Sequence, residues 1–173
     1  MNPGIKKIDN ILISENFTLK LLCEDDLYFC NSLYQDSELM KFVGNFSDDI
    51  FLNQSLKLSI QLNKRLPFER LTYCIFNNDR RIGITSLIRS KQINKHCEIG
   101  TIIHRSFLNL GVAREVMEKL IHYAFSKLEI ERIYARFSYA NKAANKLVQK
   151  LGFNIDAQEN GLHYCYIDMK RYP

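Results

Sequence analysis

The chain predicts a layered α/β domain of the α+β kind, with a mixed, mostly antiparallel twisted sheet flanked by helices. Two observations carry that expectation. Runs that alternate apolar and polar residues recur with turn residues between them, the pattern of half-buried strands. After Gly111 the pattern switches to apolar residues at three- and four-residue steps, the signature of a helix lying on a sheet.

The elements follow in order. Phe17 to Leu22 alternates as a strand. Glu24-Asp25-Asp26 then supplies acidic residues suited to the first turn of a helix, where main-chain N–H groups are unpaired, and that helix runs to about Tyr34. Ser47-Asp48-Asp49 opens a second helix, with Ser47 as its N-cap and Leu52, Leu56 and Ile60 among its apolar positions. Leu71 to Phe76 and Ile82 to Ile88 flank Asn77-Asn78-Asp79-Arg80, which reads as strand, tight turn, strand. Lys91 to Lys95 is a polar loop, and Cys97 to Ile103 continues an antiparallel meander. The long helix begins at Gly111 and carries Val112, Val116, Met117, Leu120, Ile121, Ala124, Phe125 and Leu128 as one stripe. Ile133 to Phe137 is a strand. Asn141 to Lys150 is a short helix with Ala144, Leu147 and Val148 inward and Gly152 as its C-terminal cap. Phe153 to Asp156 and Leu162 to Met169 are the last two strands.

A length of 173 residues suits one domain over residues 1–173, with its core from about 17 to 169. No repeat or linker-like tract divides it, and only Pro67 of the three prolines falls inside the fold, at a helix end or in a loop. No run approaches the roughly 18 apolar residues of a membrane span. Met1 to Ile13 lacks the apolar stretch of a signal peptide, so the expected location is the cytoplasm, away from membranes. The five cysteines form no Cys-x-x-Cys pair and are odd in number; they read as buried small hydrophobes in a reducing compartment. His96, Cys97 and Glu98 are consecutive, but strand neighbours point to opposite faces and cannot converge on one ion, so no metal site is expected. A formal net charge of +5 helps attract a polyanion. Without a dense basic run interleaved with aromatics it does not indicate a nucleic-acid partner.

The informative stretch runs from Glu98 to Phe153. Within it Leu108-Asn109-Leu110-Gly111-Val112-Ala113 enters the long helix. Small residues there let an anion approach the main chain, while the first N–H groups of the helix point at it. The pyrophosphate of a nucleotide or of coenzyme A (CoA) fits such a place. There is neither a Gly-x-x-x-x-Gly-Lys-Ser/Thr nor a Gly-x-Gly-x-x-Gly run, which argues against a P-loop nucleotidase and a dinucleotide fold.

Four segments, in order, resemble the GNAT superfamily of N-acetyltransferases, and within it the ribosomal-protein N-terminal acetyltransferase (RimJ/RimL-type) branch. Phe17-Thr-Leu-Lys-Leu-Leu-Cys-Glu-Asp-Asp26 is similar to that branch's first strand and acidic helix start. Arg81-Ile-Gly-Ile-Thr85 resembles its third strand. Glu98-Ile-Gly-Thr-Ile-Ile103, followed by Leu108-Asn-Leu-Gly-Val-Ala-Arg-Glu115, resembles its cofactor strand and phosphate loop. Asn141-Lys-Ala-Ala-Asn-Lys-Leu-Val-Gln-Lys-Leu-Gly-Phe153 resembles its last helix.

The resemblance implies a sheet split at the cofactor site. Acetyl-CoA would lie between the strand ending near Ile103 and the strand Ile133 to Phe137, its acetyl group passing to a primary amine that attacks the thioester directly. Main-chain groups of Ile102, Ile103 and His104 would pair with the pantetheine arm. Leu108 would be the first position of the phosphate loop, and the N–H groups of Asn109, Leu110, Gly111, Val112, Ala113 and Arg114 would hold the pyrophosphate, with the Arg114 side chain beside them. Asn141 would bond the pantetheine, and Lys146 or its neighbour Lys142 would reach the 3′-phosphate. Glu98 is the implied base, acting through water, and His104 an acceptor-side contact. The family's Ser and Tyr acids fall here on Ala144 and Val148, neither of which donates a proton. Water, Tyr139, His163 or Tyr164 remain for that task. The acceptor is a protein N-terminus, a polyamine, an amino sugar or another small amine, walled by Phe42 to Leu66 and Gln158 to His163; the protein is a monomer or homodimer. A non-catalytic acyl-CoA-binding module is the alternative that the missing Ser and Tyr suggest.

Overall fold

The computed structural model describes Ile8, residues 10–43 and residues 48–172. Eight strands form one sheet: β1 (Ile11–Leu12), β2 (Phe17–Leu21), β3 (Arg70–Asn77), β4 (Arg80–Arg89), β5 (His96–Ile103), β6 (Arg132–Ser138), β7 (Asn154–Glu159) and β8 (Leu162–Asp168), in spatial order β1-β2-β3-β4-β5-β6-β8-β7. The helices are α1 (Leu27–Gln35), α2 (Ser37–Met40), α3 (Asp49–Leu62), α4 (Val112–Lys127) and α5 (Lys142–Lys150). Among the described residues every strand pairing is antiparallel except β5 with β6.

Burial on two faces explains β3. Its alternation sends Leu71, Tyr73 and Ile75 into a cluster with the α4 stripe Val116, Leu120 and Ile121. The intervening Cys74 and Phe76 join Cys30 and Leu33 of α1 and Leu52 and Leu56 of α3 on the other face. Helices therefore cover both sides of the first half of the sheet. Leu120→Ala in such a core costs about 2–5 kcal/mol, through lost contacts and the cavity left behind.

Several boundaries differ from expectation for local reasons. The segment Glu24–Asp26 is a 3-10 turn rather than the first turn of α1, because Asp26 folds back: its Oδ2 accepts the Cys23 N–H at 3.0 Å and its Oδ1 accepts Arg81 Nε at 2.7 Å. Asp48, not Ser47, caps α3, its carboxylate accepting the N–H groups of Ile50 and Phe51; Ser47 lies outside the described residues. Pro67 sits in the loop between α3 and β3. The expectation of five buried cysteines holds for Cys30, Cys74, Cys97 and Cys165 and fails for Cys23, which is exposed at the start of the 3-10 turn. Burial pushes the Cys97 thiol up to about 12, so at neutral pH it is a protonated core side chain. No group of His, Cys, Asp or Glu among the described residues has the arrangement to hold a metal. No described helix is long and apolar enough to cross a membrane.

Candidate active site

The site begins where β5 and β6 part. Their parallel register covers only His96, Cys97 and Glu98 against Arg132, Ile133 and Tyr134. Beyond Glu98, β5 stays paired to β4 as far as Ile103, while β6 stays paired to β8 as far as Ser138. The sheet therefore opens in a wedge whose apex lies at Glu98 and whose sides are two strand edges.

The chain leaves β5 through a 3-10 turn, Arg105–Phe107, that His104 caps: its Nδ1 accepts the Ser106 N–H at 3.3 Å. The following loop has Asn109 at φ 63° and Gly111 at φ 83°. A left-handed backbone at Gly111 turns the chain into α4 at little steric cost, as a Gly at that position allows. The N–H groups of residues 109–113 find no main-chain or side-chain acceptor among the described residues. The N–H groups of Arg114 and Glu115 are the first in this stretch to be satisfied, both by the Gly111 carbonyl. A row of unpaired N–H groups at the positive end of a sixteen-residue helix is a binding place for an anion.

These features line one cleft of about 870 Å³. Ile102 and Ile103 give its β5 wall, Leu108, Asn109 and Gly111 its loop, and Val112, Ala113 and Arg114 the start of α4. Asn141 and Lys146 stand on the opposite wall. Glu98, His104 and Leu110 are not in the lining. Glu98 sits at the apex on the α1/α3 face, its Oε1 accepting Arg136 Nε at 2.9 Å. The His104 main-chain N–H is taken by the Ile82 carbonyl at 2.8 Å, so it is not free to pair with a ligand. Alternation along the strand then turns the main-chain groups of Ile103 and Thr101 to the wedge side. Arg114 Nε pairs with Glu118 at 2.8 Å. Asn141 caps α5, its Oδ1 accepting the Ala144 N–H at 3.0 Å, which leaves its amide Nδ2 to the cleft.

Other lining residues gave weaker signals. Lys142 and Lys150 line the cleft beside Lys146, so the whole i, i+4, i+8 lysine row faces the space rather than solvent alone. Glu38, Leu39, Lys41, Phe42 and Val43, in and just after α2, form part of the wall, and Arg105 ties α2 to it through an Nε–Oδ2 contact of 2.7 Å with Asp36, the α2 cap. Of the expected acceptor walls, Phe42 lies in the lining, while Gln158 to His163 do not. Ala144 is in the lining. Val148 is 4% exposed and belongs to the core, so a side chain at that position points away from the cleft. The Tyr139 and His163 rings meet at 4.5 Å between centroids, tilted by 50°, just beyond the far end of β6.

A wedge opened between two parallel strands, with unpaired N–H groups and basic side chains at its mouth, has the shape and charge to receive a long, phosphate-bearing molecule. Comparison with known proteins gives the particular family. A model of the acetyltransferase (GNAT) domain matches residues 16–154. The uncharacterized N-acetyltransferase p20 of Bacillus licheniformis is 27% identical over 153 residues, 87% of this chain and 84% of that protein. The ribosomal-protein-serine acetyltransferase of Escherichia coli is 27% identical over 95% of each chain. Among solved structures, spermidine N-acetyltransferase from Vibrio cholerae, in complex with CoA and spermine, superposes with a TM-score of 0.79 at 20% identity, over 92% of this chain and 99% of that one. An acetyltransferase from Salmonella typhimurium that modifies an N-terminal serine of a 50S ribosomal subunit protein gives 0.78 at 19% identity, over 92% and 99%. The chain belongs to the GNAT acetyltransferase family. It is an N-acetyltransferase, and acetyl-CoA is its acetyl donor.

Proposed function

We propose that this enzyme acetylates the α-amine of a peptide, with acetyl-CoA held in the wedge between β5 and β6. The single observation that carries the placement is the wedge itself, which begins at Glu98 and ends at the unpaired N–H groups of residues 109–113. Those groups take the pyrophosphate. Arg114 and the lysine row supply charge for it and for the 3′-phosphate. The free main-chain edge at Thr101 and Ile103 and the Asn141 amide take the pantetheine arm.

The pairing of local charges favours a peptide over a polyamine. Four carboxylates in or near the cleft already have a cation of their own: Glu38 has Lys41 at 3.3 Å, Asp36 has Arg105, Glu98 has Arg136 and Glu118 has Arg114. A polycation would find none of these free. The more extensive of the named similarities, to the ribosomal-protein-serine acetyltransferase, points the same way: the similarity to the spermidine N(1)-acetyltransferase of Escherichia coli is 19% over 81% of this chain.

In the reaction the neutral amine attacks the thioester carbon, the carbonyl oxygen becomes an oxyanion and the CoA thiolate leaves. Glu98, at the apex, takes the amine's proton through water, with Arg136 fixing the carboxylate. The thiolate is protonated by water, since Ala144 offers no proton and Val148 faces the core. The test follows free thiol released from acetyl-CoA by a panel of amines: a short peptide, spermidine and an amino sugar. The highest kcat/KM is expected with the peptide. A preference for spermidine would overturn the acceptor assignment, and CoA binding unaffected by Gly111→Asp would overturn the placement of the cofactor.

A further inference from the structure

Thr85 on β4 and Thr101 on β5 stand opposite each other in register. Their hydroxyl oxygens are 2.8 Å apart, and Thr85 Oγ1 also lies 3.0 Å from the Gly100 carbonyl oxygen. A hydroxyl has one proton to donate. A carbonyl can only accept, so the Thr85 proton goes to Gly100. Both contacts are then satisfied in one way: Thr101 donates to Thr85, and Thr85 donates to Gly100. Thr85 is 1% exposed, which shields the relay from water that would otherwise compete for it.

Thr101 itself lines the cleft, in the stretch of β5 that has lost its β6 partner. With its proton committed inward, its oxygen has only lone pairs left for whatever enters. It is the one hydroxyl-bearing side chain among the described residues of the lining, and it cannot serve as the missing acid. From this geometry we infer that Thr101 Oγ1 is a hydrogen-bond acceptor for an amide N–H of the pantetheine arm, and that Thr85 is the positioning residue that holds it in that role. The inference rests on the cleft being the acetyl-CoA site. The pantetheine arm is the part of CoA that carries amides, and the β5 edge around Thr101 is where an extended amide-bearing chain would replace the missing strand.

The experiment compares two probes by calorimetric titration: CoA and adenosine 3′,5′-bisphosphate, which has the nucleotide end and no pantetheine. Thr101→Val keeps shape and removes the acceptor. It should weaken CoA about threefold to tenfold and leave the nucleotide probe unchanged. Thr101→Ser should bind CoA like the wild type. Thr85→Val frees the Thr101 hydroxyl to turn, and should weaken CoA by a smaller factor with the same indifference toward the nucleotide; Thr85→Ser should restore it. Equal CoA affinity in wild type and Thr101→Val would overturn the inference, as would a parallel loss for both probes, which would mean general damage to the cleft. Normal CoA affinity with a raised KM for the amine would also overturn it, by giving the Thr101 oxygen to the acceptor. Failure of the wild type to bind CoA at all is a separate result, and it would sink the cofactor placement instead.

Discussion

Glu98, on the last rung before β5 and β6 separate, forms an ion pair with Arg136 two residues past that rung on β6, the side chains 39% and 57% exposed. A pair this exposed adds little to stability, so its worth is tested in the chemistry. Glu98→Gln keeps shape while removing the carboxylate. It should slow single-turnover acetyl transfer roughly 10²- to 10⁴-fold, the span of general base catalysis, with CoA affinity nearly unchanged. An unchanged rate would leave proximity and carbonyl polarisation as the working contributions. Asn141 carries two tasks on one side chain. Asn141→Ala should lower unfolding free energy by about 1 kcal/mol through the lost cap and also weaken CoA; Asn141→Asp keeps the cap and separates the two in one calorimetric series. At this scale the sequence was legible where a residue type has one use, as with Gly152, whose φ of 80° ends α5 as expected. It was illegible where partners come from afar. Nothing local marks Arg136 as the partner of Glu98, 38 positions away, or the Ile82 carbonyl as the acceptor that withdraws the His104 N–H.

Among elements, α4 was plain from its stripe, and its start is the part most open to test. Gly111 has no heavy atom within 4 Å of where a Cβ would sit, but its φ of 83° disfavours any side chain. Gly111→Asp adds that strain and a negative charge in front of the free N–H groups. Its CoA affinity should fall beyond detection while circular dichroism shows a folded chain. Gly83 constrains β5 differently. A Cβ there would stand 2.5 Å from the Ile102 carbonyl oxygen, beside the bulge where Ile82 is the extra residue between the pairs Ile75–Gly83 and Phe76–Arg81. Gly83→Ala should push the end of β5 toward the wedge and raise KM for acetyl-CoA more than it lowers kcat. The strand and helix periods gave the meander and both cofactor-side helices within a residue or two. They missed α2, four residues long, because one turn is too short to show a period. That omission hid Glu38 and Leu39, which line the cleft beside the expected Phe42.

For the whole molecule, the order of the strands is what local patterns cannot supply. Periodicity gives the strands from β2 to β8, though not the two-residue β1. It does not say that β5 and β6 run parallel or that they part after three residues; only the resemblance of four separated segments implied the split. The far half of the sheet has its own fastening, in which Arg132 holds Asp168 through contacts of 2.6 and 3.1 Å and stacks 4.2 Å over the Tyr166 ring. The bond from Arg132 keeps the Asp168 carboxyl below its ordinary value of 3.8. A depressed carboxylate stabilises the fold fully above that value and loses its contribution as pH falls through the lower, folded one. The difference in urea midpoint between wild type and Asp168→Asn should therefore be constant from about pH 8 to pH 5 and vanish in strong acid. A difference that persists in acid would assign the effect to packing on Tyr166.

The wedge also bears on how this protein survives without its ligand. Open strand edges invite other chains to add on, and proteins ordinarily keep them short, bent or charged. The two outer edges here obey that rule, since β1 has two residues and β7 is broken by a bulge between Ile155 and Ala157. The sides of the wedge are different, because they are edges enclosed within the sheet itself. Leu108 and Leu110 stand exposed at their mouth, with Lys142, Lys146 and Lys150 opposite. The lysine row that would bind phosphate would also repel a neighbouring copy of this basic chain, and a cofactor held as proposed would close the gap. The empty protein should therefore scatter more light on storage as salt screens those three charges, and less once CoA is added; equal scattering with and without CoA would remove the wedge as the cause.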